Sequence, residues 1–167
     1  MAPVQTPLIS VVGGSDCGSE LAHLAEEAGK LLAEAGVGVV CGGGGGVMQA
    51  VCKGAYEAGG VTIGILPGVD TRAANPYVRI AIPTGIGEAR NAIVVRAGAA
   101  ILAIGGGYGT LSEIAFGLKW GKQVIGLRTW QATNGSGQPA AIHSYSSALE
   151  AVAEIVRIIQ ALERQGG

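Results

Sequence analysis

The stretch Ala99-Ala100-Ile101-Leu102-Ala103-Ile104-Gly105-Gly106-Gly107-Tyr108-Gly109-Thr110-Leu111-Ser112-Glu113 passes from an unbroken apolar run, through three glycines, into helical spacing that continues to Lys119. An apolar run without alternation fits a strand covered on both faces, which is the condition of a parallel sheet between helices. The same cadence recurs on either side. Leu8–Val12 reads as a strand closed by Gly13-Gly14, followed by a helix over about Glu20–Ala35 with apolar Leu21, Leu24, Ala25, Ala28, Leu31 and Leu32. Val37–Cys41 is a strand, Gly42–Gly46 a turn, and Val47–Ala58 a helix. Val61–Leu66 and a weak Arg79–Ile82 are further strands, then Glu88–Ala97 a helix, Gln123–Leu127 a strand and Ala148–Arg164 a closing helix. Strand and helix alternating at this interval predict one doubly wound, Rossmann-like α/β domain spanning 1–167, its mostly parallel sheet carrying helices on both faces. Residues 1–7 are expected to be a flexible N-terminus. Two polar segments break the alternation, Gly68–Tyr77 and the seventeen-residue Gln131–Ser147, the latter expected as a long loop that is either a mobile insertion or a lid.

Composition narrows the function. Eleven Lys+Arg against twelve Asp+Glu leave a formal charge of −1, which argues against the basic surface of a nucleic-acid binder. No apolar run reaches the roughly 18 residues that span a bilayer, and Met1–Pro7 has no basic segment of the kind that opens a signal peptide. Cys17, Cys41 and Cys52 form no C-x-x-C, and His23 and His143 lack ligand spacing, so idle thiols in a reducing cytoplasm are expected and a metal site is not. With 49% hydrophobic and 14% charged residues, the chain is short of polar cover, which predicts a homodimer or homotetramer.

Ligands of doubly wound sheets bind beyond the carboxyl ends of the strands, and every glycine cluster here lies at such an end. Thirty of 167 residues are glycine, against roughly 7% on average. In Gly13–Ser19, Gly14 and Ser15 are candidates to approach an anion at a helix amino end, although a tight turn with Ser19 as N-cap also accounts for the segment. The pattern is neither G-x-G-x-x-G nor a P-loop. Five consecutive glycines before Val47 exceed the needs of a turn, so Gly43, Gly44, Gly45 and Gly46, with Met48, are expected to let backbone approach a ligand. The amides of Gly106, Gly107, Tyr108, Gly109 and Thr110, with the Thr110 hydroxyl, are placed to wrap a phosphate. Thr110-x-x-Glu113 is equally a capping box, leaving Glu113 structural, catalytic or both. Arg90, followed by Asn91, opens a helix where a cation is electrostatically unfavourable, which calls for a partner: a ligand phosphate, a carboxylate, or a surface pairing with Glu88 or a neighbouring chain. Tyr108 and Trp120 are candidates for core or interface, and Arg96, on an otherwise apolar helix, for pairing within a subunit contact.

Gly42–Met48 and Gly105–Glu113 together resemble the Rossmann-type superfamily of Lonely-guy phosphoribohydrolases, also called lysine-decarboxylase-like proteins, over about Ile9–Leu127. Ala58–Thr71 and Thr84–Asn91 are most similar to the molybdenum cofactor carrier-like group of short bacterial nucleotide-binding-like proteins. In the hydrolases an arginine of an Arg-Lys pair and the glutamate of Pro-Gly-Gly-x-Gly-Thr-x-x-Glu cleave a nucleoside 5′-monophosphate into base and ribose 5-phosphate, which implies catalytic roles for Arg90 and Glu113 and phosphate binding at Thr110. Here Asn91 replaces the lysine, Gly105 the proline, and the Gly42–Gly46 run is one residue short. The carrier-like group shares such departures, so the resemblance implies a binder of a phosphorylated small molecule that needs no cofactor and carries molybdenum cofactor as ligand, with the hydrolase as the alternative.

Overall fold

A computed structural model describes residues 5–166; of the predicted flexible segment 1–7, residues 1–4 lie outside the described residues, as does Gly167. Seven parallel strands form one sheet in the order β4-β3-β2-β1-β5-β6-β7. The strands are β1 Leu8–Gly13, β2 Gly38–Cys41, β3 Thr62–Leu66, β4 Ile80–Pro83, β5 Ile101–Ile104, β6 Val124–Leu127 and β7 Ile142–Tyr145. The helices are α1 Ser19–Glu34, α2 Val47–Glu57, α3 Asn91–Ala97, α4 Tyr108–Lys119 and α5 Ala148–Gly166, with 3-10 turns at Thr71–Ala73 and Gly87–Arg90. The doubly wound reading therefore holds.

The pleat of the strands sorts the core. Ile9 and Val11 of β1, with Val39, Leu102 and Ile104, face α1, α2 and α5. Val12, Val40, Ile101 and Ala103 point the other way, onto Val94 and Val95 of α3 and Ile114 of α4. Successive strand residues alternate faces, so runs apolar at every position are what a sheet buried on both sides requires. Ser10, a polar exception in β1, is fully buried; its hydroxyl donates to the Val94 carbonyl at 2.6 Å and accepts from the Gly98 amide at 3.0 Å. It thereby ties the central strand to the end of α3.

The chain leaves β1 toward β2 on one side and returns to β5 on the other, so strand order reverses between β1 and β5. A crevice opens there, at the carboxyl ends of the strands.

The Gln131–Ser147 segment is a correction. It contains β7, paired with β6 from Ile142↔Val124 to Leu127↔Tyr145, preceded by a small hairpin bridged at Thr133↔Pro139. Asn134 closes the hairpin, its side-chain carbonyl accepting the amides of Ser136 and Gln138 at 2.9 and 3.0 Å. An edge strand with exposed His143 and Ser144 has no continuous apolar run to announce it. Gly68–Tyr77 is likewise ordered by the turn that Asp70 caps through the Arg72 amide.

Candidate functional site

Three of the helices that start at the carboxyl edge of the sheet begin on glycine. The N-caps of α1, α2 and α4 are Gly18, Gly46 and Gly107, and among the described residues no side chain caps any of the three. Two expectations fall here. Ser19 is the first residue of α1 rather than its cap. Thr110 is the third residue of α4, not its cap, so Glu113 lies too far along the helix to reach the capping amide and no capping box forms. The cause is the tightness of the turn. Gly105 and Gly106 take φ of 52° and 102°, which reverses the chain early enough for the helix to start at Tyr108. Thr129 Oγ1 donates to the Gly105 carbonyl and Trp130 Nε1 to the Gly107 carbonyl, at 2.7 and 3.0 Å, and these bonds hold the turn from the β6 side. The first amides of an α-helix lack helical acceptors; in α4 these belong to Tyr108, Gly109 and Thr110.

A cavity of about 300 Å³ occupies the crevice between β1 and β5. Of the predicted residues it brings together Gly14, Ser15, Met48, Arg90, Asn91, Gly107, Gly109, Thr110 and Glu113. Gly43, Gly44, Gly45, Gly46, Gly106 and Tyr108 do not line it. Those glycines have backbone work of their own. The Gly43 and Gly44 carbonyls accept the Asn75 amide and side chain at 2.8 and 2.9 Å, and Gly46 sits against the Gly14 carbonyl, which also accepts the Val47 amide at 3.0 Å. The five-glycine run is thus the seam joining two loops, and Gly42 is its one member facing the cavity. Val11 and Val12, missed from the sequence, follow from the rule that ligands meet strand ends; Gly13 heads the Gly13–Ser19 cluster, and Glu88 lies in the Thr84–Asn91 stretch with Arg90. A larger cleft of about 650 Å³ lies outside α1 and α2, among Glu26, Glu27, Lys30, Glu34 and Glu57. It is a groove between solvated helix surfaces, remote from the strand ends.

Two opposite charges dominate the cavity. Arg90, half-buried, ends the 3-10 turn and precedes α3. Its Nη1 donates to the Asn91 side-chain carbonyl, its Nη2 lies against the Gly42 backbone, and its buried Nε has no partner among the described residues. It makes no ion pair with Glu88. Glu113 is only 6% exposed. Burial pushes its carboxyl up to about 7, against the opposing pull of the Arg90 charge. Neither group joins an ion pair among the described residues.

Behind the cavity wall, Cys41 Sγ and Cys52 Sγ are 3.5 Å apart and fully buried, and the Gly43 amide donates to Cys41 Sγ at 3.3 Å. The shared hydrogen bond and then burial raise the Cys52 thiol, while that bond and the Gly43 amide lower Cys41. Cys17 is half-exposed. On the outer face of α3 and α4, the Arg96 guanidinium lies 4.2 Å over the Trp120 ring, which stacks on Phe116 at 5.1 Å, while Tyr108 is 83% exposed and leans on Trp130. The Arg96 cation therefore pairs within this chain. Among the described residues no three His, Cys, Asp or Glu side chains gather as a metal site, and no helix is long and apolar enough to cross a membrane.

The architecture is found in proteins of known structure. The molybdenum cofactor binding protein from the phototrophic bacterium Rippkaea orientalis is 35% identical, over 94% of this chain and 99% of that one, with a TM-score of 0.79. The Moco carrier protein from Chlamydomonas reinhardtii is 34% identical over the same shares, with a TM-score of 0.81. DNA processing protein A from Helicobacter pylori, 14% identical over 91% and 81% of the two chains at a TM-score of 0.67, shares the fold alone. An uncharacterized protein of Archaeoglobus fulgidus is 44% identical over 120 residues, which make up 72% of this chain and 79% of that one. The sequence pattern of the SLOG cluster4 family matches residues 6–156. The resemblance seen in the glycine motifs is therefore one of descent: the chain belongs to the SLOG cluster4 family.

Proposed function

We propose that the protein binds a small phosphate-bearing anion in the β1–β5 crevice and serves as a molybdenum cofactor carrier. The observation that carries this reading is the convergence on one cavity of a glycine-capped helix end and the buried Nε of an arginine, the first with no side-chain cap and the second with no partner among the described residues. Uncapped amides at a helix start present donors and a partial positive charge to a phosphate. Arg90 adds a planar cation suited to phosphate oxygens. Both cofactor proteins named above are about one-third identical over nearly their whole length, which supports molybdenum cofactor as the cargo. Carriage needs affinity and release but no bond-breaking. Gly14, Ser15, Gly107, Gly109 and Thr110 would contact the phosphate, and Glu113, protonated, would donate a hydrogen bond. The exposed Ile93, Phe116 and Tyr108 on one face support a homo-oligomer, and three free thiols suit the cytoplasm.

Glu113 favours one second reading, a phosphoribohydrolase of nucleoside 5′-monophosphates. A carboxyl titrating near neutrality beside an arginine suits proton transfer to a departing base. One experiment separates the two: incubate the protein and Glu113→Gln with molybdenum cofactor and with a panel of nucleoside monophosphates, and measure bound ligand and free base. Saturable cofactor binding without base release is expected. Base release abolished in the variant establishes the hydrolase instead.

A further inference from the structure

Cys41, Cys52 and Met48 form a separate buried cluster, flanked by Tyr77 and Val78 and distinct from the two aliphatic cores. We propose that these three sulfur atoms constitute a copper(I) site set into the wall of the ligand cavity. Two thiolates and a thioether without imidazole or carboxylate are a soft donor set, which selects Cu(I) over zinc or harder cations.

The spacing favours a metal over a disulfide. The two Sγ atoms are 3.5 Å apart. Two metal–sulfur bonds of about 2.3 Å at the roughly 120° of a three-coordinate site separate sulfurs by roughly 4.0 Å, whereas a disulfide draws them to about 2.05 Å. Opening a packed core by about half an ångström is a smaller change than closing it by about 1.5 Å. Met48 Sδ lies beside Gly42, the residue after Cys41. Met48 and Gly42 also line the cavity, so the cluster lies directly behind its wall.

Binding releases the two thiol protons to solvent, and Cu⁺ with two thiolates leaves one net negative charge, which Arg90 favours and Glu113 opposes at Cys41. The Gly43 amide already donates to the Cys41 sulfur. Nothing is oxidised or reduced in the step.

The test uses the Cys17→Ser protein, free of its half-exposed thiol, reduced and held without oxygen, and titrated with Cu(I) against bicinchoninate. One equivalent of copper is expected to be withheld from the chelator, with X-ray absorption showing sulfur neighbours alone. Cys41→Ser and Cys52→Ser should each weaken retention by at least about 100-fold, the upper range for losing a mere outer partner of a metal site. Met48→Leu, which keeps the volume, should lower the sulfur count from three to two, and it decides the matter if the cysteine variants fail to fold. Full extraction by the chelator, equal retention by Cys52→Ser, preference for Zn(II), or recovery of a Cys41–Cys52 disulfide without bound copper each overturns the proposal.

Discussion

Arg90 rests its guanidinium on the backbone of Gly42, so closely that a Cβ at Gly42 would lie 2.6 Å from Nη2. The contact joins two distant parts of the chain, one leaving β2 and one entering α3, and it fixes where the cation points. Gly42→Ala should displace Arg90 while leaving the fold in place. The other atom in the way, Met48 Sδ at 2.8 Å, also belongs to a flexible side chain. With a hydrogen bond to a charged group worth about 1.5–3 kcal/mol, affinity for a nucleoside monophosphate or molybdenum cofactor should fall roughly tenfold or more. Calorimetric titration alongside thermal melting checks this; unchanged affinity removes Arg90 from the anion site.

Glu113 should make stability depend on pH. Its carboxyl titrates near 4.5 when exposed and at about 7 in the fold. A raised acid is fully stabilising below 4.5, and that contribution is lost as pH rises toward 7, because the folded state then holds a proton that the unfolded state has released. The loss is on the order of 3 kcal/mol. Glu113→Gln should flatten the fall in urea-derived stability between these values. The same charge opposes a phosphate, so ligand affinity should decline from pH 6 to 8 more steeply in the native protein than in Glu113→Gln. Using the variant as reference cancels the titration of the phosphate itself.

Ser10 is the polar pin under the crevice. Ser10→Ala leaves the buried Gly98 amide without its acceptor and the Val94 carbonyl without its 2.6 Å donor. A buried group stripped of its partner costs about 1–3 kcal/mol. Chemical denaturation should show that loss, and an equal midpoint for both proteins would mean that water replaces the hydroxyl.

Strands β1, β2, β3 and β5 were legible because residues such as Val11-Val12 and Ile101-Leu102 must be apolar on both faces. β7 was not, because His143 and Ser144 face solvent and its pairing with β6 is a long-range fact. The site was legible as far as glycines at strand ends reveal it. Thr110-x-x-Glu113 matched a local cap that the early turn at Gly105 and Gly106 displaces. Gly42 and Gly43 are indistinguishable by spacing. Only Arg90, far along the chain, makes Gly42 the one on the cavity.

The glycines now divide by what a methyl group would strike, and the division is testable. At Gly46, φ is 58° and a Cβ would meet the Gly14 carbonyl oxygen at 2.4 Å, backbone that cannot swing aside. With ψ at −128° the backbone lies outside the left-handed helical well; strain of about 1–3 kcal/mol and overpacking of about 1–3 kcal/mol should make Gly46→Ala markedly unstable. At Gly109, by contrast, a Cβ meets nothing within 4 Å, yet the residue lines the cavity in the first turn of α4. Alanine favours helix over glycine by roughly 0.5–1 kcal/mol, so Gly109→Ala should melt no lower than the native protein. Its methyl group would nevertheless stand beside the amides offered to the phosphate, and affinity should drop. A stable variant that binds poorly places the ligand on the α4 amides; a stable variant that binds as well as the native protein moves the anion elsewhere in the crevice.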